Sequence, residues 1–258
     1  MKIALIGYGK MGHIIERIAL ERGHEIVSIV DVDNQDEFES AAFASADVAI
    51  EFTIPAKAVE NYRRAWAAGV PVVSGTTGWN AVLPELKKEI AEKGYTLFWA
   101  SNFSLGVNLF FELNKRLAAM MNRYADYDVA MTEIHHTEKK DAPSGTAITL
   151  AEGILDNLDR KTEWVLNEVR EGENFQLFIA KGSKTFGSTL NSQLSIEALR
   201  EGKVPGTHII KYDSAVDSIT ITHEAKSREG FALGAVVAAE FLVGKPAGFY
   251  SMSDLMKE

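Results

Sequence analysis

The sequence has no cysteine in 258 residues. That excludes disulfides, thiolate metal ligands and cysteine nucleophiles, and it agrees with a reducing compartment. Positive charge is in deficit: 27 Lys and Arg face 36 Asp and Glu, a formal net charge of −9. So acidic a chain is a poor partner for a phosphate backbone, and nucleic acid is not expected as a ligand. No apolar run approaches the roughly 20 residues that cross a bilayer. Glycine interrupts the apolar start of MKIALIGYGKMG before the core of a secretory signal is complete. The expectation is a cytoplasmic protein with no membrane partner. The chain does have apolar residues at 46%, enough to build a real core.

The first hundred residues alternate between two periods. KIALI (2–6), IVSIV (26–30), DVAIEFT (47–53), the start of VPVVSGTTG (70–78) and TLFWASNF (96–103) read as buried strands. Helical spacing separates them over 14–23, 56–68 and 84–94. Strand–helix alternation predicts an α/β fold, a Rossmann-type doubly wound parallel sheet. After Asn108 the pattern changes. Helices are expected over 109–124 and 148–158, and a strand over 127–136. Strands then follow in series: EWVLNEV, FQLFIAKG (175–182), STLNSQLSI (188–196), GTHIIKYD and SITITHEA. That predicts a second, α+β domain with a mixed open sheet. The helix in GFALGAVVAAEFLVGK returns to the first domain. The domains are expected as 1–106 with 228–258, and 107–227.

Residues 7–12, GYGKMG, follow a strand and open a helix, which is the context a G-x-G-x-x-G turn needs to hold a dinucleotide. Gly7 permits the tight turn, Gly9 lets the backbone approach a pyrophosphate, and Gly12 lets helix and strand pack closely. Tyr8, Lys10 and Met11 complete the turn, and Lys10 adds charge. Asp31 ends the second strand, where an acid hydrogen-bonds the adenosine ribose and repels a 2′-phosphate. The cofactor is therefore NADH or NADPH, with NADH favoured. Two more strand ends, Phe52-Thr53 and the turn with Gly75, Thr76 and Thr77, lie where a nicotinamide would rest. Small residues there admit a ring, and threonine hydroxyls can bind its carboxamide.

EIHHTEKKDAPSGTA (133–147) crowds two histidines, two lysines and several acids against a flexible turn. One reading is a metal site from Glu133, His135, His136 and Asp141. Adjacent histidines on a strand point to opposite faces, and H-E-x-x-H spacing is absent, so no metal is expected. A second reading is a core histidine with solvated lysines. A third is an anion site with a proton donor. Asp141 to Thr146 has the chemistry of a helix start, where the N–H groups of Ser144, Gly145 and Thr146 would bind a carboxylate. Lys139 supplies an ammonium, and a histidine with an ordinary pKa of about 6.5 supplies a general acid. This predicts a small, multiply charged anionic substrate.

At this segment the chain resembles the 4-hydroxy-tetrahydrodipicolinate reductase (dihydrodipicolinate reductase) family of lysine and diaminopimelate biosynthesis. GYGKMG, EFT, SGTTG, ASNFSLGVN (100–108), LREGKVPGTHII (199–210) and ITHEAKSREGFALGA (221–235) occur in the family's order. The resemblance implies NAD(P)H-dependent reduction of a cyclic imine dicarboxylate by a homotetramer. It implies catalytic roles for His135 and Lys139, substrate contacts from His136, Gly145 and Thr146, and a nicotinamide surrounded by Gly75, Thr76 and Thr77 with Ala100, Ser101, Asn102 and Phe103. Arg228 and Phe231 become hinge candidates. The first 105 residues alone suit two other readings equally: another NAD(P)-dependent oxidoreductase of amino-acid semialdehydes or sugars, and a non-catalytic dinucleotide sensor. A sensor has no use for the histidine–lysine segment.

Overall fold

The computed structural model describes residues 1–171 and 192–257. The strand expected over 175–182 and the start of the one expected over 188–196 lie outside them. The chain divides into two compact units, Met1–Asn108 with Glu229–Glu258, and Leu109–Arg228.

In the first unit, β1 (Lys2–Ile6), β2 (Glu25–Val30), β3 (Val48–Glu51), β4 (Val72–Ser74), β5 (Thr96–Trp99) and β11 (Gly248–Tyr250) form one sheet in the order β11-β5-β4-β3-β1-β2. Every neighbouring pair is parallel. The strands are apolar on both faces because helices cover both. Ile3 and Leu5 pack with Ile15 and Ile18 of α1 (Lys10–Glu21) and with Ala235, Val236 and Ala239 of α7 (Glu229–Leu242). Ala4 and Ile6, alternating to the other face, pack with Phe43 of α2 (Ala41–Ala44), Tyr62 and Trp66 of α3 (Pro55–Ala67) and Leu86 and Ile90 of α4 (Leu83–Lys93). α1 starts at Lys10, four residues before its apolar spacing becomes readable, because Gly9 can stand as the N-cap. The strand order reverses between β1 and β3, and in such sheets the ligand crevice lies off the carboxyl ends of those strands. The glycine turn leaves β1 and Phe52-Thr53 leave β3 there, and the Gly75–Thr77 turn leaves the neighbouring β4.

In the second unit, β6 (Asp128–His135), β7 (Glu163–Glu171), β8 (Gln193–Arg200), β9 (Thr207–Asp213) and β10 (Ser218–Glu224) form a mixed sheet in the order β10-β9-β6-β8-β7. β6 pairs parallel with β8 and antiparallel with β9. Phe110, Ala118 and Met121 of α5 (Leu105–Met121) pack with Leu150, Ala151 and Ile154 of α6 (Gly145–Leu155) against Val129, Met131, Ile196 and Ile210. Both helices begin three or four residues before the apolar spacing predicts. α6 begins at Gly145 because Ser144 caps it, its Oγ accepting from the Ala147 N–H at 3.2 Å. Among the described residues no helix is long and apolar enough to cross a membrane.

Candidate active site

A pocket of about 450 Å³ opens off the carboxyl ends of β1, β3 and β4, lined by Gly9, Lys10, Met11, Phe52, Thr53, Pro55, Gly75, Thr76 and Thr77. Eight of these nine belong to the expected cofactor set; Pro55 does not. Gly7 lies behind the lining at φ +90°, and a Cβ there would meet the Phe52 carbonyl oxygen at 2.2 Å. A Cβ on Gly9 meets nothing within 4 Å, so that face of the turn is open. No side chain caps α1. Unspent N–H groups at the start of a twelve-residue helix, beside open space, suit a phosphate. The fit to a dinucleotide is therefore good at the turn.

Three details differ from the sequence reading. Thr53 and Thr76 do not turn their hydroxyls to the pocket; both donate inward to the Glu51 carboxylate, Thr76 at 3.0 Å. Gly75 is flush against a ring, but the ring is that of Phe52, whose Cε1 lies 2.2 Å from where a Cβ would be. Ala100, Ser101, Asn102 and Phe103 follow β5 and do not line the pocket. Ala100 and Phe103 are buried, and Asn102 accepts from the Ser104 N–H at 2.9 Å. Tyr8 packs on His13 and donates to Glu16. Asp31 directly follows β2, its carboxylate accepting from the Val32 N–H at 2.9 Å.

The histidine segment belongs to the second unit. β6 carries Glu133 and His135 to its end, and strand register sets two unanticipated residues opposite them: His135 pairs with Arg200 of β8, and Glu133 with His208 of β9. All four are buried; Arg200 is 2% exposed and His135 7%. Glu133 Oε2 accepts from the Ser144 N–H at 3.0 Å and lies 3.6 Å from His135 Nδ1 and 3.8 Å from His208 Nε2. Glu133 Oε1 lies 3.4 Å from Arg200 Nη2. Ser144 Oγ is 3.1 Å from His208 Nε2. The Ser144 N–H is thus not the free anion donor that the sequence suggested, because a buried carboxylate needs it more. Among the described residues nothing accepts from the Gly145 or Thr146 N–H, so these two remain available at the start of α6.

Lys139 is held by Asp141, its Nζ 2.8 Å from each carboxylate oxygen. Burial pushes the His135 pKa down to about 4, helped by the nearby Lys139 and Arg200 charges. Burial and the His135 charge push His208 down to about 3. At neutral pH His135 is an uncharged imidazole, in contrast to the general acid read from its ordinary pKa. Ligand atoms of Glu133, His135 and His208 lie within 4.8 Å of one another, a grouping that can hold a metal ion. His136 and Asp141 are not part of it. Arg200 already supplies Glu133 with a buried positive partner, which disfavours a cation there.

The sequence pattern described as "Dihydrodipicolinate reductase, N-terminus" matches residues 1–103, and "Dihydrodipicolinate reductase, C-terminus" matches residues 106–256. A 4-hydroxy-tetrahydrodipicolinate reductase of Christiangramia forsetii is 45% identical over 262 residues, covering 100% of this chain and 98% of the relative. One of Staphylococcus aureus is 34% identical, covering 99% of this chain and all of the relative. The dipicolinate-bound dihydrodipicolinate reductase of Paenisporosarcina sp. TG-14 has the same fold, with a TM-score of 0.70 at 21% identity over 97% of each chain. A glycine turn at the switch point of the first sheet and pattern matches spanning both units converge on one assignment: the chain belongs to the dihydrodipicolinate reductase family.

Proposed function

We propose that the chain reduces the cyclic imine dicarboxylate 4-hydroxy-tetrahydrodipicolinate to tetrahydrodipicolinate, with release of water, in lysine and diaminopimelate biosynthesis. The observation that carries this reading is the match of both family patterns, which together cover nearly the whole chain. When bound, reduced NADH or NADPH supplies the hydride. The turn from Gly7 to Gly12 and the start of α1 hold the pyrophosphate, and Asp31 takes the adenosine ribose and favours NADH. The first unit serves as the cofactor domain and the second as the substrate domain.

The N–H groups of Gly145 and Thr146 and the Thr146 hydroxyl bind one substrate carboxylate, with His136 adding a contact. Lys139 attracts the same dianion. Hydride addition to the ring leaves an enamine that must gain one proton. His135 is neutral at working pH, so the Lys139 ammonium is the proton source, and His135 orients the ring through its uncharged imidazole. Asp141 keeps Lys139 in place until substrate arrives. The enzyme works as a cytoplasmic homotetramer, as in the family it resembles; light scattering of dilute protein gives the oligomeric state. The activity is tested by NADH oxidation with the imine supplied by coupled dihydrodipicolinate synthase, against amino-acid semialdehyde controls. Oxidation with the semialdehydes and none with the imine would overturn the reading.

A further inference from the structure

Among the described residues only Glu51 and Glu133 are buried acids. Glu133 belongs to the histidine segment. Glu51, at the end of β3 and 0% exposed, has no positive partner among the described residues and no place in the mechanism above. Its surroundings are specific. Ser74 Oγ donates to Glu51 Oε2 at 2.5 Å, and Thr76 Oγ1 donates to Oε1 at 3.0 Å; Thr53 Oγ1 also donates to Oε1. A hydroxyl has one proton, so each of these three has spent it on the carboxylate. Each then serves as an acceptor. Asn61 Nδ2 donates to Thr53 Oγ1 at 3.2 Å, the Thr53 N–H to Thr76 Oγ1 at 2.8 Å, and the Thr76 N–H to Ser74 Oγ at 3.2 Å. Tyr62 OH lies 2.7 Å from Ser74 Oγ and, by the same count, is the donor.

Every hydrogen bond in this set points toward Glu51, and the set ties the turn after β3 to the turn after β4. The Thr76 carbonyl is fixed as well, accepting from Trp79 Nε1 at 2.7 Å and Trp99 Nε1 at 2.9 Å. Thr76 therefore has no polar group left for a ligand. Yet Thr53, Gly75, Thr76 and Thr77 line the pocket. From this geometry we infer that Glu51 is a positioning residue for the dinucleotide: it touches no ligand, but it sets the shape of the pocket wall where the nicotinamide half is received. The inference rests on the cofactor reading. It assigns polar recognition on this wall to the main chain and to the exposed Thr77, not to the Thr53 and Thr76 hydroxyls.

Burial raises the Glu51 pKa above the ordinary carboxylate range, against the lowering effect of its hydroxyl donors. A raised folded-state pKa means that the charged form costs stability, and the cost grows as pH rises through that value. Replacing the carboxylate with an amide removes that cost but breaks the donor pattern, because an amide nitrogen cannot accept from Ser74. The test measures NADH and NADPH dissociation constants for wild type, Glu51→Gln and Ser74→Ala at neutral pH, with melting temperatures and the KM for the imine. Both variants are expected to bind dinucleotide about tenfold more weakly, with the imine KM unchanged. Glu51→Gln is expected to melt no lower than wild type. A purely structural role would leave the folded fraction of each variant with wild-type affinity, and that result overturns the inference. Should Glu51→Gln not fold, the affinity of folded Ser74→Ala decides. If wild type binds neither dinucleotide, the cofactor reading falls first and the inference with it.

Discussion

Arg200 donates from Nη2 to the main-chain carbonyl of Asp141 at 2.8 Å, and from Nε to that of Lys139 at 3.2 Å. The loop that carries Lys139, the proposed proton donor, therefore hangs from a buried guanidinium on β8. Lys139 and Asp141 are held twice, once by their ion pair and once by their backbones. A lysine at this position keeps the charge but lacks the planar fork that reaches two carbonyls. Arg200→Lys should lower kcat about tenfold or more, because the proton donor loses its placement. Arg200→Ala should also leave the Glu133 carboxylate without its cation, a loss of about 3–5 kcal/mol. Steady-state kinetics and thermal melting check both; an unchanged kcat in Arg200→Lys contradicts the clamp.

Much of this was legible in the sequence, and the exceptions have a common cause. The alternation of periods gave the first sheet up to β5, and eight of the nine residues that line its pocket stood among those expected to hold the cofactor. β11 was missed: GFY is three residues long and becomes a strand only by pairing with Thr96–Phe98. Arg200 and His208 were missed for a related reason. Each lies more than sixty residues from Glu133, and only the register of β8 and β9 against β6 brings them together. Glu51 stood in the EFT motif in plain view, but nothing local reveals that a strand-end glutamate is fully buried. The free threonine hydroxyls and the free Ser144 N–H were expected from turn chemistry alone. Both are consumed by those buried acids.

The two residues at the start of α6 should separate binding from folding. Thr146→Val removes a hydroxyl from the proposed carboxylate site and should raise the imine KM about tenfold, with little change in the NADH KM. Ser144→Ala removes the helix cap and should cost about 1 kcal/mol of stability. Initial-rate kinetics and denaturant titration distinguish these outcomes. Equal effects of Thr146→Val on both KM values would argue against the carboxylate site.

His208 is neutral in the folded protein, its pKa pushed down to about 3. The unfolded chain takes up a proton near pH 6.5, so stability is full above that value and falls as pH drops from about 6.5 toward 3, by at most ~1.4 kcal/mol per pH unit for one site. His208→Gln has no such proton to exclude. Its melting temperature should fall less than that of wild type between neutral pH and pH ~5. Parallel melting curves for the two proteins over that range would show that the folded state does not suppress this protonation.

Asp31 tests cofactor choice. Wild type should favour NADH, and Asp31→Ser should lose affinity for NADH while gaining on NADPH, each by about tenfold. Kinetics with both cofactors give the ratio. Tighter binding and faster turnover of wild type with NADPH would remove Asp31 from the ribose.

The central claim is tested most directly by following NADH oxidation with the coupled imine for wild type, His135→Ala and Lys139→Ala, and titrating NADH into all three. The account predicts one NADH consumed per imine by wild type, and losses of about a hundredfold or more in each variant, with NADH binding retained. No oxidation by wild type, or near-wild-type turnover in both variants, would contradict it.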